Sequence, residues 1–361
     1  LSRIGETHPE ITEIDINPLL ANPEGRVAAV DTLVVTGFEV EKIDVLPPIA
    51  PDAIGALFYP KSVAIVGASS QIGKWGHTLT ANTISGGFKG PIYPVNPKGG
   101  TIAGKEAFRS VSEIPEKIDL AAVTIPAQHV LKLLPEFSKK GIRNMLLITS
   151  GFGETGADGK NLEQELVKAA RKAGVLVLGP NTMGIANPHN NLYCTGSPIM
   201  PRPGSTALVA QSGNMGIQLL AFAEQQGIGI RAFCGSGNEA MMTIEDYLDG
   251  FEVDSVTRTV ILYVESVKNG RRFFESARRV GRKKPIVLLK GGRSDAGNRA
   301  AASHTGAMTS DIKIFEAVCR QAGVVLAKEP MDLLDLAAAF SSLPLPEGRR
   351  AAIVTPVSYT H

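Results

Sequence analysis

Residues 62–73 read Ser-Val-Ala-Ile-Val-Gly-Ala-Ser-Ser-Gln-Ile-Gly, an apolar run that leads into a glycine-rich turn. The apolar run predicts a buried strand, and a helix should begin near Lys74. Glycines let the main chain approach a ligand closely, while the first turn of a helix offers free N–H groups and a positive dipole to phosphate. The segment therefore predicts a nucleotide-type phosphate site, or else a structural turn of the same form.

The alternation of strands and helices continues along the chain. Further buried strands are predicted at Pro91–Val95, Leu120–Thr124, Asn144–Thr149 and Val175–Leu178. A second set is predicted at Thr206–Ala210, Gly229–Phe233, Thr259–Val264 and Pro285–Lys290. Predicted helices between them include Val130–Lys140, Leu162–Ala173, Met215–Gln226 and Arg271–Val280. Strands that alternate with helices form parallel, doubly wound sheets, so we expect two consecutive α/β domains.

The first 45 residues have a different pattern. Two strands are predicted at Ile11–Ile16 and Val27–Asp31, and the turn sequence Asn22-Pro23-Glu24-Gly25 between them predicts a hairpin. The proline-rich segment Pro47–Pro51 then indicates a linker. The chain starts directly in a patterned segment and ends in a tail that follows a strand-like run at residues 351–354, so we expect a fragment at both ends.

The overall composition excludes several classes of protein. The net charge of +2 is too small to indicate nucleic-acid binding, and no run of about 18 apolar residues predicts a membrane span. The three cysteines, Cys194, Cys234 and Cys319, form neither a metal-binding pair nor a disulfide framework. This cysteine usage fits a reducing compartment and indicates a cytoplasmic protein.

An NAD-dependent reductase is the obvious alternative for the glycine turn. The turn lacks the Gly-x-Gly-x-x-Gly spacing, and the second strand ends in Asn96-Pro97-Lys98 without the acidic residue that would hold a ribose hydroxyl. None of the six tyrosines is followed four residues later by lysine, the pair that short-chain reductases would require. Lys98 instead suits a ligand with an additional phosphate, such as CoA, or is a solvated loop residue.

Other loops with ligand-binding character follow predicted strands. They contain Thr149 and Ser150, Asn181, and the run Gln211-Ser212-Gly213, in which Ser212 is expected to cap a helix. The carboxyl ends of parallel strands are where such sheets bind ligands. One such loop can be plain turn chemistry, but several at equivalent strand ends favour a shared site.

One of the six histidines stands in a context that suggests chemistry. His304 lies in a long run of small residues after a predicted strand, whereas the other five have no convergent partners. Small neighbours leave an imidazole accessible, and an imidazole is a capable nucleophile when an acceptor holds its second nitrogen. Glu265, at the end of the predicted strand Thr259–Val264, could supply that acceptor or could simply begin a helix.

Seven short motifs occur in one order, namely Gly67-Ala68-Ser69, Tyr93-Pro94-Val95-Asn96-Pro97-Lys98, Gly179-Pro180-Asn181, Gln211-Ser212-Gly213, Gly237-Asn238-Glu239, Tyr263-Val264-Glu265 and Ser303-His304-Thr305-Gly306. Together they resemble the CoA-binding and ligase domains of ADP-forming acetyl-CoA synthetases, which are NDP-forming acyl-CoA synthetases related to succinyl-CoA synthetase. The resemblance implies an α/β fold with a Rossmann-like CoA-binding domain at residues 56–190 and a flavodoxin-like ligase domain at 191–346. Residues 46–55 would be a linker, and 347–361 the truncated start of a further domain with an aberrant tail.

The resemblance also implies roles for individual residues. His304 would carry a phosphoryl group that Glu265 orients, and residues 211–213 would bind phosphate. The implied acid–thiol ligase interconverts acyl-CoA, ADP and phosphate with a carboxylate, CoA and ATP. CoA would be held by Gly67, Ala68, Ser69, Ser70, Gly73, Asn96, Pro97, Lys98, Thr149, Ser150 and Asn181.

Residues 1–45 resemble the end of an ATP-grasp domain, a β-hairpin remnant in which Asn17 and Asp31 would bind the Mg²⁺ of ATP or ADP. The partners would be a carboxylate or acyl-CoA and phosphate, and the full-length protein is expected to be a homo-oligomer that binds neither nucleic acid nor membranes. A non-enzymatic alternative is a CoA-sensing regulatory module, as in protein acetyltransferases with a degenerate synthetase region. The presence of His304 and of the Asn17–Asp31 pair argues against such degeneracy.

Overall fold

A computed structural model describes residues 2–8, 10–37, 47–292, 312–345, 348 and 350. The chain divides into two compact units, residues 1–47 and residues 48–361. No helix within the described ranges combines the length and the apolarity that a membrane crossing requires. His304 and the predicted start of a further domain after residue 350 lie outside the described residues.

The first unit contains a helix at Ser2–Thr7 and two antiparallel strand pairs. The outer pair is Ile11–Ile16 with Thr32–Thr36, and the inner pair is Leu19–Ala21 with Val27–Ala29. The turn at residues 22–25 is confirmed, but the predicted pairing of Ile11–Ile16 with Val27–Asp31 is wrong. Proline has no N–H to donate to a ladder, so the outgoing strand is interrupted at Pro18 and the returning chain pairs in two parts.

The second unit begins with the helix Pro51–Phe58, which corrects the predicted linker at residues 46–55. Proline at the first helical position costs nothing, because its missing N–H would have no partner there. Ile54, Leu57 and Phe58 recur with helical spacing and are buried, and the helix packs against Ile244–Val253. The apolar face of this segment therefore makes it part of the core rather than a spacer.

A five-stranded parallel sheet forms the first α/β domain. Its spatial order is Leu176–Leu178, Asn144–Leu147, Leu120–Val123, Val63–Val66 and Ile92–Val95. The main helices are Trp75–Ser85, Ala127–Val130, Leu134–Lys140 and Ala157–Ala173, and a small hairpin pairs Thr101–Ile102 with Lys105–Glu106. All five predicted strands are confirmed. In chain order the strands lie 2-1-3-4-5, so the direction of winding reverses between the first and third strands.

The second α/β domain is built on a seven-stranded sheet. Its spatial order is Leu192–Thr195, Gly184–Asn187, Ile230–Gly235, Pro203–Ala210, Thr259–Val264, Ile286–Lys290 and Val325–Ala327. The last five strands are parallel and repeat the order 2-1-3-4-5. The described helices are Gly213–Gln225, Ile244–Val253, Gly270–Gly281, Ile312–Ala322 and Pro330–Ser342.

An antiparallel hairpin, Gly184–Asn187 with Leu192–Thr195, extends the edge of this second sheet by pairing with Ile230–Gly235. The predicted boundary between residues 190 and 191 falls inside this hairpin, whose strand Gly184–Asn187 already pairs with the second sheet. The sequence does not reveal this hairpin, because a short 3₁₀ turn joins its two strands. Asn191 ends that turn in a left-handed conformation.

Candidate functional site

The carboxyl ends of the two parallel sheets meet at one pocket of about 1000 Å³. The first sheet contributes the segments 124–126 and 148–150, and the second contributes 211–214, 237–239 and 265–268. The strand order reverses between two strands of each sheet, and open α/β sheets bind ligands at such points. In the second sheet both loops at this point line the pocket, and in the first sheet only the loop after Leu120–Val123 does. The pocket is therefore formed by the ligand-binding edges of both domains.

The glycine turn after the first strand allows a helix to start directly against the strand end. Gly67 has a left-handed φ of +93°, and a Cβ there would lie 2.6 Å from Thr124 Oγ1. Gly76, in the first turn of the helix Trp75–Ser85, lies against the main chain of Gly67 and Ala68. The predicted helix start is confirmed, since Lys74 immediately precedes the helix. The turn thus has the close helix–strand packing that phosphate-binding turns need.

The end of the second strand is tied to this turn by Asn96. Its Nδ2 donates to the carbonyl oxygen of Ala68 at 2.8 Å, and its Oδ1 accepts from the N–H of Lys98 at 2.9 Å. The Asn96 side chain therefore shapes the turn itself. The predicted CoA residues Gly67, Ala68, Ser69, Ser70, Gly73, Asn96, Pro97 and Lys98 lie at this edge of the first sheet and outside the lining of the pocket.

The predicted residues Thr149, Ser150 and Asn181 do line the pocket. Thr149 Oγ1 donates to the carbonyl oxygen of Ile125 at 2.7 Å, and the N–H of Asn181 donates to the carbonyl oxygen of Thr149 at 3.0 Å. Asn181 has a left-handed φ of +57° and donates from its amide to Asn238 Oδ1 at 3.3 Å. These contacts hold two strand-end loops of the first domain against a loop of the second.

The run 211–213 has two distinct parts. Ser212 caps the helix Gly213–Gln225, since its Oγ accepts from the N–H of Met215 at 3.4 Å. The Gln211 carboxamide accepts from the N–H groups of Glu265 at 2.6 Å and Ser266 at 3.0 Å, and it donates to the Ser266 carbonyl oxygen at 2.8 Å. The Gln211 side chain is thus committed to the neighbouring loop, which leaves the helix start at residues 212 and 213 to face an anion.

Glu265 follows the strand Thr259–Val264 and lines the pocket in a partly buried position. Lys290 Nζ donates to the carbonyl oxygens of Glu265 and Gly291, each at 2.7 Å. Burial lowers the pKa of this lysine, although the Glu265 carboxylate opposes the shift. Since His304 lies outside the described residues, the pairing of Glu265 with that imidazole stays a prediction.

A group of polar side chains that sequence reasoning missed joins the two domains beside the pocket. Asn238 Nδ2 donates to Glu154 Oε2 at 2.5 Å and to Glu163 Oε2 at 2.9 Å. Burial would raise the pKa of Glu154, but hydrogen bonds from Asn238 and from the N–H of Gly151 outweigh it and lower the pKa. Lys268 Nζ donates to the carbonyl oxygens of Asn238 and Glu239, each at 2.7 Å.

Glu239 is a buried acid at the wall of the pocket, with 2% of its surface exposed. Burial raises its pKa to about 7, although a hydrogen bond from Ser236 Oγ at 2.7 Å favours the ionised form. In the sequence, residues 237–239 stand out only as one motif of an ordered set. Their position after a predicted strand of the second sheet, equivalent to the loops at 211 and 265, was the signal that could have identified them.

The first unit contains the two predicted metal ligands. The N–H of Asn17 donates to the carbonyl oxygen of Asp31 at 3.1 Å, so the two residues are neighbours across the strands. Both are exposed and offer an amide and a carboxylate oxygen, which are ligands that Mg²⁺ accepts. The donor set therefore fits a magnesium ion, with further ligands required from elsewhere.

Comparison with known families supports a two-domain CoA ligase architecture. Residues 61–188 match the model of a CoA binding domain, and residues 203–340 match that of the succinyl-CoA ligase like flavodoxin domain. These matches define the class of protein: a CoA-binding domain followed by a flavodoxin-like ligase domain.

Two individual relatives show more specifically which proteins this chain resembles. The chain is 43% identical over 307 residues to the acetate–CoA ligase [ADP-forming] I subunit alpha of Pyrococcus furiosus, a match that covers 84% of this chain and 66% of that one. It is 38% identical over 350 residues to acetate–CoA ligase [ADP-forming] II of Archaeoglobus fulgidus, which covers 95% of this chain and 50% of the relative. The chain thus spans between half and about two thirds of the length of these relatives.

A solved structure shows the same arrangement of the domains. The dinucleotide forming acetyl-coenzyme A synthetase 1 of Ca. Korarchaeum cryptofilum, in complex with phosphate and ADP, superimposes with a TM-score of 0.78 and 38% identity. The match covers 82% of this chain and 64% of that structure. Over most of its length the chain is therefore similar to ADP-forming acetyl-CoA synthetases.

Proposed function

We propose that the protein that contains this chain is an NDP-forming acyl-CoA synthetase. The reaction converts acyl-CoA, phosphate and ADP into a carboxylate, CoA and ATP, and it is reversible. Acetate is the acid we expect, since the relatives from Pyrococcus furiosus and Archaeoglobus fulgidus are named as acetate–CoA ligases. The full-length protein is proposed to be a cytoplasmic homo-oligomer.

The convergence of the two sheet edges on one pocket is the observation that carries this proposal. The first edge bears the glycine turn, which suits the phosphates of CoA and is hydrogen-bonded to Thr124 of the pocket lining. The second edge presents Glu265 beside the helix start at Ser212. A reaction between a CoA thioester and inorganic phosphate needs both ligands at one place. Two domains that each bind one of them, with a common pocket between, satisfy that need.

The proposed chemistry proceeds in two transfers before ATP is formed. A phosphate oxygen attacks the thioester carbonyl, the C–S bond breaks, and the thiolate takes up a proton to give CoA and an acyl phosphate. A ring nitrogen of His304 then attacks phosphorus, the P–O bond to the acyl group breaks, and the carboxylate leaves. The phosphoryl group finally passes from His304 to ADP. Glu265 would hold the imidazole, and the N–H groups after Ser212 would stabilise the charge on phosphate.

Residues 1–45 are proposed to be the end of an ATP-grasp domain. Asn17 and Asp31 would hold Mg²⁺, which when bound neutralises the charge of the nucleotide phosphates. The proposal draws support from the short distance between the Asn17 N–H and the Asp31 carbonyl oxygen, which brings the two residues together. The nucleotide would then be ATP or ADP.

Protein incubated with ATP and analysed by mass spectrometry tests the proposal. We expect one phosphate that is labile in acid, stable in base and absent from His304→Ala, and we expect slower phosphorylation in Glu265→Gln. The matched control is His129→Ala, which removes an exposed imidazole far in sequence from the pocket segments of the second domain. Tight CoA binding without any phosphorylation would instead support a regulatory CoA sensor.

A further inference from the structure

Two side chains hold the main chain of Glu265 from different sides. The Gln211 carboxamide oxygen accepts from the N–H groups of Glu265 at 2.6 Å and Ser266 at 3.0 Å, and its NH₂ group donates to the Ser266 carbonyl oxygen at 2.8 Å. Lys290 Nζ donates to the carbonyl oxygen of Glu265 at 2.7 Å. Both main-chain polar groups of Glu265, its N–H and its C=O, are therefore hydrogen-bonded to a side chain.

These bonds fix both peptide groups that flank the Cα atom of Glu265. The N–H of Glu265 belongs to the peptide group before this atom, and its C=O belongs, with the N–H of Ser266, to the peptide group after it. Each peptide group is planar, so holding the two planes also holds the φ and ψ angles between them. The direction of the Cα–Cβ bond follows from these angles. The bonds therefore set the direction in which the Glu265 side chain leaves the main chain.

Lys290 is an unusual residue for the end of a core strand. It is the last residue of Ile286–Lys290, only 9% of its surface is exposed, and burial lowers its pKa. Its ammonium group has three donors and three partners, namely the carbonyl oxygens of Glu265 and Gly291, each at 2.7 Å, and the ring of Phe315, whose centre lies 5.7 Å from Nζ. Lysine is rarely buried unless its charge is compensated in this way. The fold thus holds an ammonium group here at a free-energy cost, which points to a role for it.

Gly291 restricts Glu265 on a further side. Its N–H donates at 2.9 Å to the carbonyl oxygen of Val264, which belongs to the peptide group before Glu265. A Cβ at Gly291 would lie 3.2 Å from Glu265 Cγ and 2.6 Å from Tyr263 Oη. The glycine therefore lies directly against the first part of the Glu265 side chain, and the main chain after Lys290 packs against the residue that Lys290 holds.

We propose that Gln211 and Lys290 are positioning residues for Glu265, which hold its two flanking peptide groups and so aim its carboxylate into the pocket. The catalytic consequence rests on the proposed function, whereas the hydrogen bonds do not. Neither side chain has to touch a substrate. Under the proposed function, Glu265 meets the His304 imidazole with its main chain already in place, so no rearrangement of this loop precedes phosphoryl transfer.

Lys290→Met tests the proposal, because methionine fills a similar space but donates no hydrogen bond. In the protein that contains this chain, release of CoA thiol from acetyl-CoA, phosphate and ADP should fall about tenfold in kcat, with little change in KM for acetyl-CoA. Gln211→Met should have the same kinetic effect. Hydrogen exchange followed by mass spectrometry should also show the amides of Glu265 and Ser266 exchanging at least about tenfold faster in Gln211→Met than in the wild type.

Lys284→Met is the matched control. Lys284 lies two residues before the same strand, at the end opposite the pocket, and its Nζ donates to the carbonyl oxygens of Phe251 and Asp254, each at 2.5 Å. Burial lowers its pKa as well. The control therefore removes a lysine with the same kind of contacts, away from Glu265. Urea unfolding should show similar losses of stability in Lys284→Met and Lys290→Met, but Lys284→Met should keep the wild-type kcat.

A double variant shows whether Lys290 acts through Glu265. In a Glu265→Gln background, the addition of Lys290→Met should change kcat by less than about twofold, because the carboxylate that Lys290 positions is already absent. Losses that multiply in the double variant, wild-type kcat in Lys290→Met, or wild-type exchange in Gln211→Met would overturn the proposal. If the wild-type protein releases no thiol at all, the proposed function fails, and the exchange of the Glu265 and Ser266 amides still decides the positioning role.

Discussion

Gly76 is the position where a single methyl group should separate the glycine turn from its helix. A Cβ at Gly76 would overlap the carbonyl oxygen of Gly67, and it would lie 2.8 Å from the carbonyl carbon of Gly67 and 2.9 Å from Ala68 Cα. These atoms belong to the main chain, so no side chain can rotate away. We therefore expect Gly76→Ala to displace the start of the helix Trp75–Ser85.

The size of the effect follows from these distances. Ordinary carbon contacts begin at 3.4 Å, so the helix start must move by at least about 0.6 Å to relieve the 2.8 Å approach, and further to clear the oxygen. Overpacking of a rigid core costs about 1–3 kcal/mol, and we expect the upper end because the obstacle is main chain. The displacement also moves the N–H groups that are proposed to face the phosphates of CoA, so CoA affinity should fall at least about tenfold.

Urea unfolding and calorimetric titration with CoA measure the two effects. Gly55→Ala is the matched control, since it places the same methyl group in a helix where nothing lies within 4 Å. That variant should gain about 0.5–1 kcal/mol, because alanine favours a helix more than glycine does. Wild-type stability and wild-type CoA affinity in Gly76→Ala would refute close main-chain packing as the basis of the turn.

Three further outcomes follow from buried polar groups. Asn238→Ala removes the amide that donates to Glu154, so we expect the free energy of urea unfolding to fall by about 1–3 kcal/mol at neutral pH. The loss should be smaller in acid, where the pH approaches the lowered pKa of Glu154 and its carboxylate becomes protonated. Glu239→Gln should gain thermal stability relative to the wild type as the pH rises from about 4.5 to about 7. The raised pKa of Glu239 means that the folded wild type releases this proton at a higher pH than the unfolded chain does, so the wild type loses stability over that range. Arg231→Met should cost about 3 kcal/mol or more in unfolding free energy, since it leaves Asp254 without its ion pair at 2.8 Å.

The strands of both sheets could be predicted because each is a short apolar run between turn signals. Parallel strands are covered on both faces by helices, so their sequences are continuously apolar, as at Val63–Val66 and Leu120–Val123. Pairing was harder to predict. In the first unit the sequence predicts the wrong strand partners, because one proline divides the hairpin into two ladders and no local signal fixes which residues face each other.

The polar contacts across the pocket could not be predicted in the same way. Asn238 reaches Glu154 and Glu163, which lie 84 and 75 residues earlier in the chain, so the contacts depend on how the two domains pack. Burial of Glu239 is also a property of packing, and the sequence around it reads as an ordinary polar loop. The sequence motifs therefore predict which strand ends line the pocket. The hydrogen bonds of Asn238 and the burial of Glu239 depend on the folded structure and cannot be predicted from those motifs.

An acid-rich pocket presents a difficulty for the proposed substrate phosphate, which is itself negative. In the described part of the chain, the lining contains four glutamates, at positions 154, 163, 239 and 265, against the lysines at 160 and 268. Hydrogen bonds compensate for much of this excess negative charge. Asn238 and main-chain N–H groups engage the carboxylates of Glu154 and Glu163, and burial keeps Glu239 partly protonated near pH 7.

Among the described residues, attraction for an anion then has to come from Lys160, Lys268 and the helix start after Ser212. Because Asn238 belongs to the second domain and its two carboxylate partners belong to the first, the bonds that Asn238 makes exist only while the domains are packed together. The same packing brings Thr149 and Asn181 to the pocket. Under the proposed function, binding of phosphate would therefore be coupled to the contact between the two domains.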